Sequence, residues 1–192
     1  MKDIYNKRNI SLGHTELKMN ADELIVSKTD IKGVVTYGND SFCDIAGYDR
    51  SEIIGKPHNI LRHPDMPRIV FKYAWDELSA GRPVYAFVKN MSKSGDFYWV
   101  YAYITPSYVI KGWSGPDKTI PKKELVGFHS ERRMPNVKAL EIIVPLYQKL
   151  KSIEIEQGMD KALEYLISVI GSIGESSYQS LIQKLQDGTI KG

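Results

Sequence analysis

Hydrophobic and polar positions along the chain change period three times, and each change marks an element. Residues 23–29 (ELIVSKT) and the GVVTY run that follows are rich in β-branched side chains. The polar turn Asp30 to Gly33 separates them, so they read as two short strands. Asn39-Asp40-Ser41 then offers N-caps to a short helix carrying Phe42, Ile45 and Ala46 and ending at Gly47. A second helical turn, Asp49 to Ile54, closes on Gly55. Residues 58–67 (HNILRHPDMP) hold two prolines and small polar residues and read as a loop. Asp65 there can cap a helix over about 66–80, with Pro67 in its first turn and Ile69, Val70, Tyr73 and Leu78 mostly on one side. Three strand-like runs follow, at 84–91, 97–105 and 125–132. The turn Lys93-Ser94-Gly95-Asp96 joins the first two as a hairpin, and a Gly/Pro-rich excursion, 107–121, delays the third.

Strands, then helices in the middle, then more strands imply the α+β class: a five-stranded antiparallel sheet covered by helices on one face. A cleft between such a sheet and its helices suits a small molecule. After Pro135 only helical periodicity remains, over 137–151 and 159–186. Met159, Leu163, Leu166, Ile167, Ile170 and Ile173 make one apolar stripe, and Leu181, Ile182 and Leu185 a shorter one. The stripe can pack on the sheet, dimerise, or dock on a partner helix. The chain therefore divides into a polar, partly helical lead segment (1–20), a core domain (21–135) and a C-terminal helical extension (136–192).

Charge narrows the function classes. Twenty-six basic and 23 acidic side chains give a net charge of +3 over 192 residues, too near balance for a nucleic-acid-binding face. The single cysteine, Cys43, rules out an internal disulfide and fits a reducing cytoplasm. The polar N-terminus has no secretory pattern, and no window approaches the ~20 apolar residues of a membrane span.

From Asn39 to Thr105 the chain resembles the FAD-binding PAS domains of bacterial aerotaxis (energy-taxis) receptors. The matching residues are NDSF, AGY, the E-x-x-G from Glu52 to Gly55, PHNILRHPDMP, Phe71 with Trp75, VKN, SGD and YWV. Pro145-Leu146-Tyr147 is similar to the segment that follows the PAS core in those receptors. The resemblance implies a PAS fold, FAD as cofactor, and a redox-sensing role without catalysis. Receptors of this kind continue into a membrane anchor, a HAMP module and a methyl-accepting domain. The expectation is thus a stand-alone subunit of a two-part system, cytoplasmic or held at the inner membrane face by a methyl-accepting, HAMP-type partner, and able to form a homodimer.

The resemblance also nominates site residues. Asn90, on a strand, has an amide that both donates and accepts, and is implied to read the flavin ring edge; its alternative is capping the turn that follows. Arg62, His63 and Asp65 are implied in FAD binding: Arg62 through phosphate, His63 by hydrogen bonding or stacking, and Asp65 with helix capping as its alternative. Trp75 is either a core anchor or an aromatic wall beside the flavin. Asn39, His58 and Asn59 are further candidates. Tyr98, also a candidate, alternates with Trp99, so one faces the buried side of the sheet and the other faces out. The loop holds no cysteine of the light-oxygen-voltage type, so Cys43 is expected in the core. FMN in place of FAD, a haem or small-ligand PAS sensor using His63 or His58, and a cofactor-free dimerisation scaffold stay open.

Overall fold

A computed structural model describes residues 10–111 and 122–190. The first nine residues of the expected lead segment, and residues 112–121 of the expected excursion, lie outside the described residues. Strands β1 (Ile25–Asp30) and β2 (Val35–Gly38) form a hairpin whose turn is built by Asp30. Its carboxylate accepts from the N–H groups of Lys32 and Val34 at 2.8 and 2.9 Å, while Gly33 takes a left-handed φ of 77°. Helix α1 (Asp40–Ala46) is capped by Asn39 and stopped by left-handed Gly47, and α2 (Arg50–Ile53) follows Asp49 in a capping box. The segment expected as a plain loop contains a 3₁₀ turn, His58–Leu61. Helix α3 (Arg68–Ser79) leads to β3 (Val84–Met91), β4 (Phe97–Lys111) and β5 (Lys122–Arg133). Helices α4 (Val137–Glu156), α5 (Met159–Ser172) and α6 (Tyr178–Gln186) complete the chain.

The five strands form one antiparallel sheet in the order β2-β1-β5-β4-β3. Residues 107–111, expected in the excursion, instead extend β4 against β5. Residues 10–20 are extended, not helical. Thr15 and Leu17 exchange backbone hydrogen bonds with Phe97, and Met19 enters the core. Their close approach to the β3–β4 turn requires glycine at 95, where φ is 97° and a Cβ would strike the Ser11 carbonyl.

Alternation fixes two faces. Ser27 and Thr29, Val88 and Asn90, Ala102 and Ile104, and Phe128, Ser130 and Arg132 point inward beneath α1–α3. Tyr85, Phe87, Trp99 and Tyr101 point the other way and pack in one cluster with Tyr147, Tyr178 and Leu181 of α4 and α6. Trp99 is therefore not turned to water: its ring centroid lies 6.2 Å from that of Tyr147. The C-terminal helices also close the β3 edge. Tyr85 N–H donates to Gln179 Oε1 at 2.7 Å, and the Tyr147 hydroxyl donates to the Phe87 carbonyl at 3.0 Å. Edge groups that would otherwise template pairing with another strand are thus satisfied.

Asp65 does not cap α3. The carboxylate of Glu154, from α4, accepts from the N–H groups of Arg68 and Ile69 at 2.9 and 2.6 Å, and Pro67 stands at the N-cap. A capping group 85 residues away satisfies the same orphan donors that a local aspartate serves elsewhere.

Candidate functional site

Beneath α3 the inner face of the sheet bounds a cavity of about 250 Å³. Its size is close to the lower end of small-molecule sites, ~300 Å³. One wall is α3, contributing Phe71, Ala74, Trp75 and Leu78. A second is the 3₁₀ segment, with His58, Asn59 and Arg62, and the floor is the sheet. Trp75 is not a core anchor: it is 43% exposed, stands at the rim, and meets Phe128 edge-to-face at 5.3 Å. Gly33 lies under its indole, where a Cβ would come within 3.3 Å of the ring.

Five nominated residues converge here: His58, Asn59, Arg62, Trp75 and Asn90. The Arg62 guanidinium stacks 3.8 Å from the centre of the Phe71 ring, and its backbone bridges to Asn90, tying the loop to β3. Asn90 is 4% exposed and takes no part in the following turn, which Ser92, Ser94 and Asp96 hold among themselves. It instead faces its cross-strand partner Tyr98, whose ring is fully buried. Burial pushes the Tyr98 hydroxyl well above its ordinary range, so it stays a neutral donor.

Besides Tyr98, three nominated residues lie apart from the cavity lining. Asn39 spends its amide on structure: Oδ1 accepts from Phe42 and Val26 N–H, and Nδ2 donates to the Leu24 carbonyl. His63 is buried behind the loop, where Nδ1 accepts from Asp65 N–H at 3.1 Å and the ring meets Phe97 edge-on. Burial and the nearby Lys89 ammonium lower its pKa to about 4. The imidazole is therefore neutral near pH 7, and its 3.4 Å approach to the Asp65 carboxylate is not an ion pair. Asp65 pairs with Lys89 at 2.7 Å; burial works to raise its carboxyl pKa, but the Lys89 hydrogen bond and neighbouring charges carry it down. Cys43 sits in the core with Phe42 and Ile53, away from the cavity.

The pattern of the sequence missed Arg132. This β5 side chain is 5% exposed and lines the cavity, with Nη2 2.7 Å from His58 Nε2 and 3.0 Å from Ser27 Oγ. Burial, reinforced by the Arg132 charge, lowers the His58 pKa to about 3. A neutral His58 accepts from arginine through Nε2, which puts its own proton on Nδ1. Burial lowers the Arg132 pKa to about 10, leaving it charged. Arg132 and Ser130 both line the cavity floor, and their buried Nη1 and Oγ atoms have no hydrogen-bond partner among the described residues. Buried polar atoms of this kind are costly unless a ligand or water serves them.

Residues 35–113 match the family model described as PAS fold. Over 142 residues the chain is 32% identical to the aerotaxis receptor of Escherichia coli (strain K12), a stretch that is 74% of this chain and 26% of that protein. It is 28% identical over 81 residues to a nitrogen fixation regulatory protein of Klebsiella pneumoniae, covering 42% of this chain and 16% of that protein. The chain thus spans about a quarter or less of the length of these relatives. Among solved structures, a light-oxygen-voltage domain studied with a flavin analogue superposes with a TM-score of 0.50 at 15% identity, over 64% of this chain and 83% of that one. That likeness concerns the fold.

Proposed function

We propose that this chain, which carries a PAS domain homologous to the PAS region of an aerotaxis receptor, is a redox or energy-taxis sensor subunit. It binds FAD in the cavity beneath α3 and signals to a separate chemoreceptor-type partner in the cytoplasm. The observation that carries this reading is the composition of the cavity. An aromatic and aliphatic wall (Phe71, Ala74, Trp75, Leu78) faces a floor bearing one amide, one arginine and three hydroxyls (Ser27, Thr29, Ser130), which is what a flat heteroaromatic ring with a polar edge requires. When bound, a flavin takes up electrons with a proton on its ring and exchanges an acceptor for a donor there.

The chain's part in that exchange falls to Asn90. Its amide offers a donor or an acceptor by rotating, and the hydroxyl of its cross-strand neighbour Tyr98 can reorient with it. Arg62 and Lys32 stand at the cavity as cations suited to the phosphate-bearing tail of a dinucleotide. Such a device signals only if its two states differ in their contacts with the partner. β3 supplies a route, because it carries Asn90 inward and the Tyr85 and Phe87 contacts to α6 and α4 outward. The haem alternative is weaker on geometry: His58 spends Nε2 on Arg132, and His63 is behind the loop.

The test is chemical identification of the cofactor released from the purified chain. FAD is expected, and Asn90→Ala should retain it while losing redox-dependent partner activity. Release of haem, or a colourless chain that takes up no added flavin, would remove this reading.

A further inference from the structure

We propose that Arg132 is an anion-binding residue of the cavity, facing the negative charge that a bound flavin ring acquires on reduction, so that the site holds the reduced cofactor more tightly than the oxidised one. The inference rests on the flavin reading above and goes beyond it by assigning a redox-setting role to a residue that neither sequence motif nor comparison marks.

The argument starts from an uncompensated charge. A buried guanidinium is ordinarily paired with a carboxylate. Arg132 is 5% exposed, yet its hydrogen-bond partners are a neutral imidazole and a serine hydroxyl. The ionisable group that acts on it is the Tyr98 phenol, itself held neutral by burial. Phe42 lies under the guanidinium, with its ring centre 5.6 Å from Cζ. The fork is therefore held from one side, through Nη2, and the buried Nη1 of this cavity-lining side chain is left without a partner among the described residues. Ser130 Oγ adds a second unpartnered polar atom on the same strand and face. A rigid, half-used bidentate donor on a cavity wall is built for an oxygen or nitrogen that carries negative charge.

Two parts of a flavin dinucleotide carry such charge: the phosphates, always, and the ring, after reduction. Location favours the ring. Arg132 lies on the floor, near the Tyr98–Asn90 pair, whereas Lys32 lines the same cavity as an exposed cation suited to the phosphates. Two electrons from a reductant and one proton at ring N5 leave a net negative charge across the N1 and O2 edge. Arg132 stabilises that charge without giving up its own proton.

The experiment is a reductive titration of the full, cofactor-loaded chain as wild type, Arg132→Met and Arg132→Lys, with binding of oxidised cofactor measured separately. Arg132→Met is expected to bind oxidised cofactor near wild-type strength and to lose at least tenfold in preference for the reduced form. That loss lowers the two-electron potential by about 30 mV or more. Arg132→Lys, which keeps the charge, should recover most of the difference and serves as the folded control. Equal potentials in all three proteins overturn the inference. So does an equal loss of affinity for oxidised and reduced cofactor, which would place Arg132 on phosphate. A wild-type chain that binds no flavin fails earlier and differently, because it removes the parent reading before any variant is compared.

Discussion

At the scale of single residues, two histidines that look alike in the loop sequence are both held neutral, for different reasons. His58 is desolvated beside a charged arginine, and His63 is desolvated beside a lysine. With folded pKa values of about 3 and about 4 against an ordinary 6.5, each binds its proton more readily in the unfolded chain. Stability therefore rises with pH through this range: these contributions are intact above pH ~6.5 and are lost as pH falls. Each histidine should cost on the order of 1.4 kcal/mol per pH unit between about pH 6 and pH 4.5. Chemical denaturation across that range should show a shallower slope in His58→Gln than in wild type, and identical slopes would contradict the neutral assignment. At this scale the sequence was partly legible. The loop motif led to His58, Asn59 and Arg62, and the strand asparagine to Asn90, all of which line one cavity. Arg132 was not legible, because its partners His58 and Ser27 lie 74 and 105 residues away and no spacing announces that convergence. Local cues also misled at Asp65, whose favourable capping position is overridden by Glu154.

At the scale of elements, the strands and caps were readable because they rest on short-range physics: β-branched runs, Asp30 in its turn, Asn39 and Gly47 at the two ends of α1. The placement of the C-terminal helices was not readable, because an apolar stripe gives a face without naming what covers it. Of the six residues of the expected stripe, Leu166 and Ile170 are buried and Met159 is half-buried, while Leu163, Ile167 and Ile173 remain exposed. The tighter coupling comes from α4 and α6. Tyr147 and Tyr178 meet hydroxyl to hydroxyl at 2.6 Å; since Tyr147 donates to the Phe87 carbonyl, Tyr178 donates to Tyr147. Tyr147→Phe should remove the middle of this buried chain and leave the Phe87 carbonyl without its side-chain donor. The expected loss is about 1–3 kcal/mol of stability, read from the denaturant midpoint at unchanged m-value. An unchanged midpoint would mean that these hydroxyls do not fasten α4 to the β3 edge.

At the scale of the whole molecule, the cavity and the C-terminal helices lie on opposite faces of one sheet and share β3. Asn90 reaches the cavity from that strand, and Tyr85 and Phe87 reach α6 and α4 from it. A second tie crosses at the helix start, where Glu154 of α4 caps α3, the helix that carries Phe71 and Trp75. Packed, hydrogen-bonded contacts thus connect the cavity floor and wall to the helical layer. Among the described residues no helix is long and apolar enough to cross a membrane. The most direct test is amide hydrogen exchange of the cofactor-loaded full chain, compared between its oxidised and fully reduced forms. The account predicts altered protection in β3 around residues 85–90 and in the facing turns of α4 and α6, with β2 unchanged. Identical exchange profiles in the two redox states would contradict it, because a sensor whose cavity chemistry leaves β3 and its helices untouched has no means of reporting it.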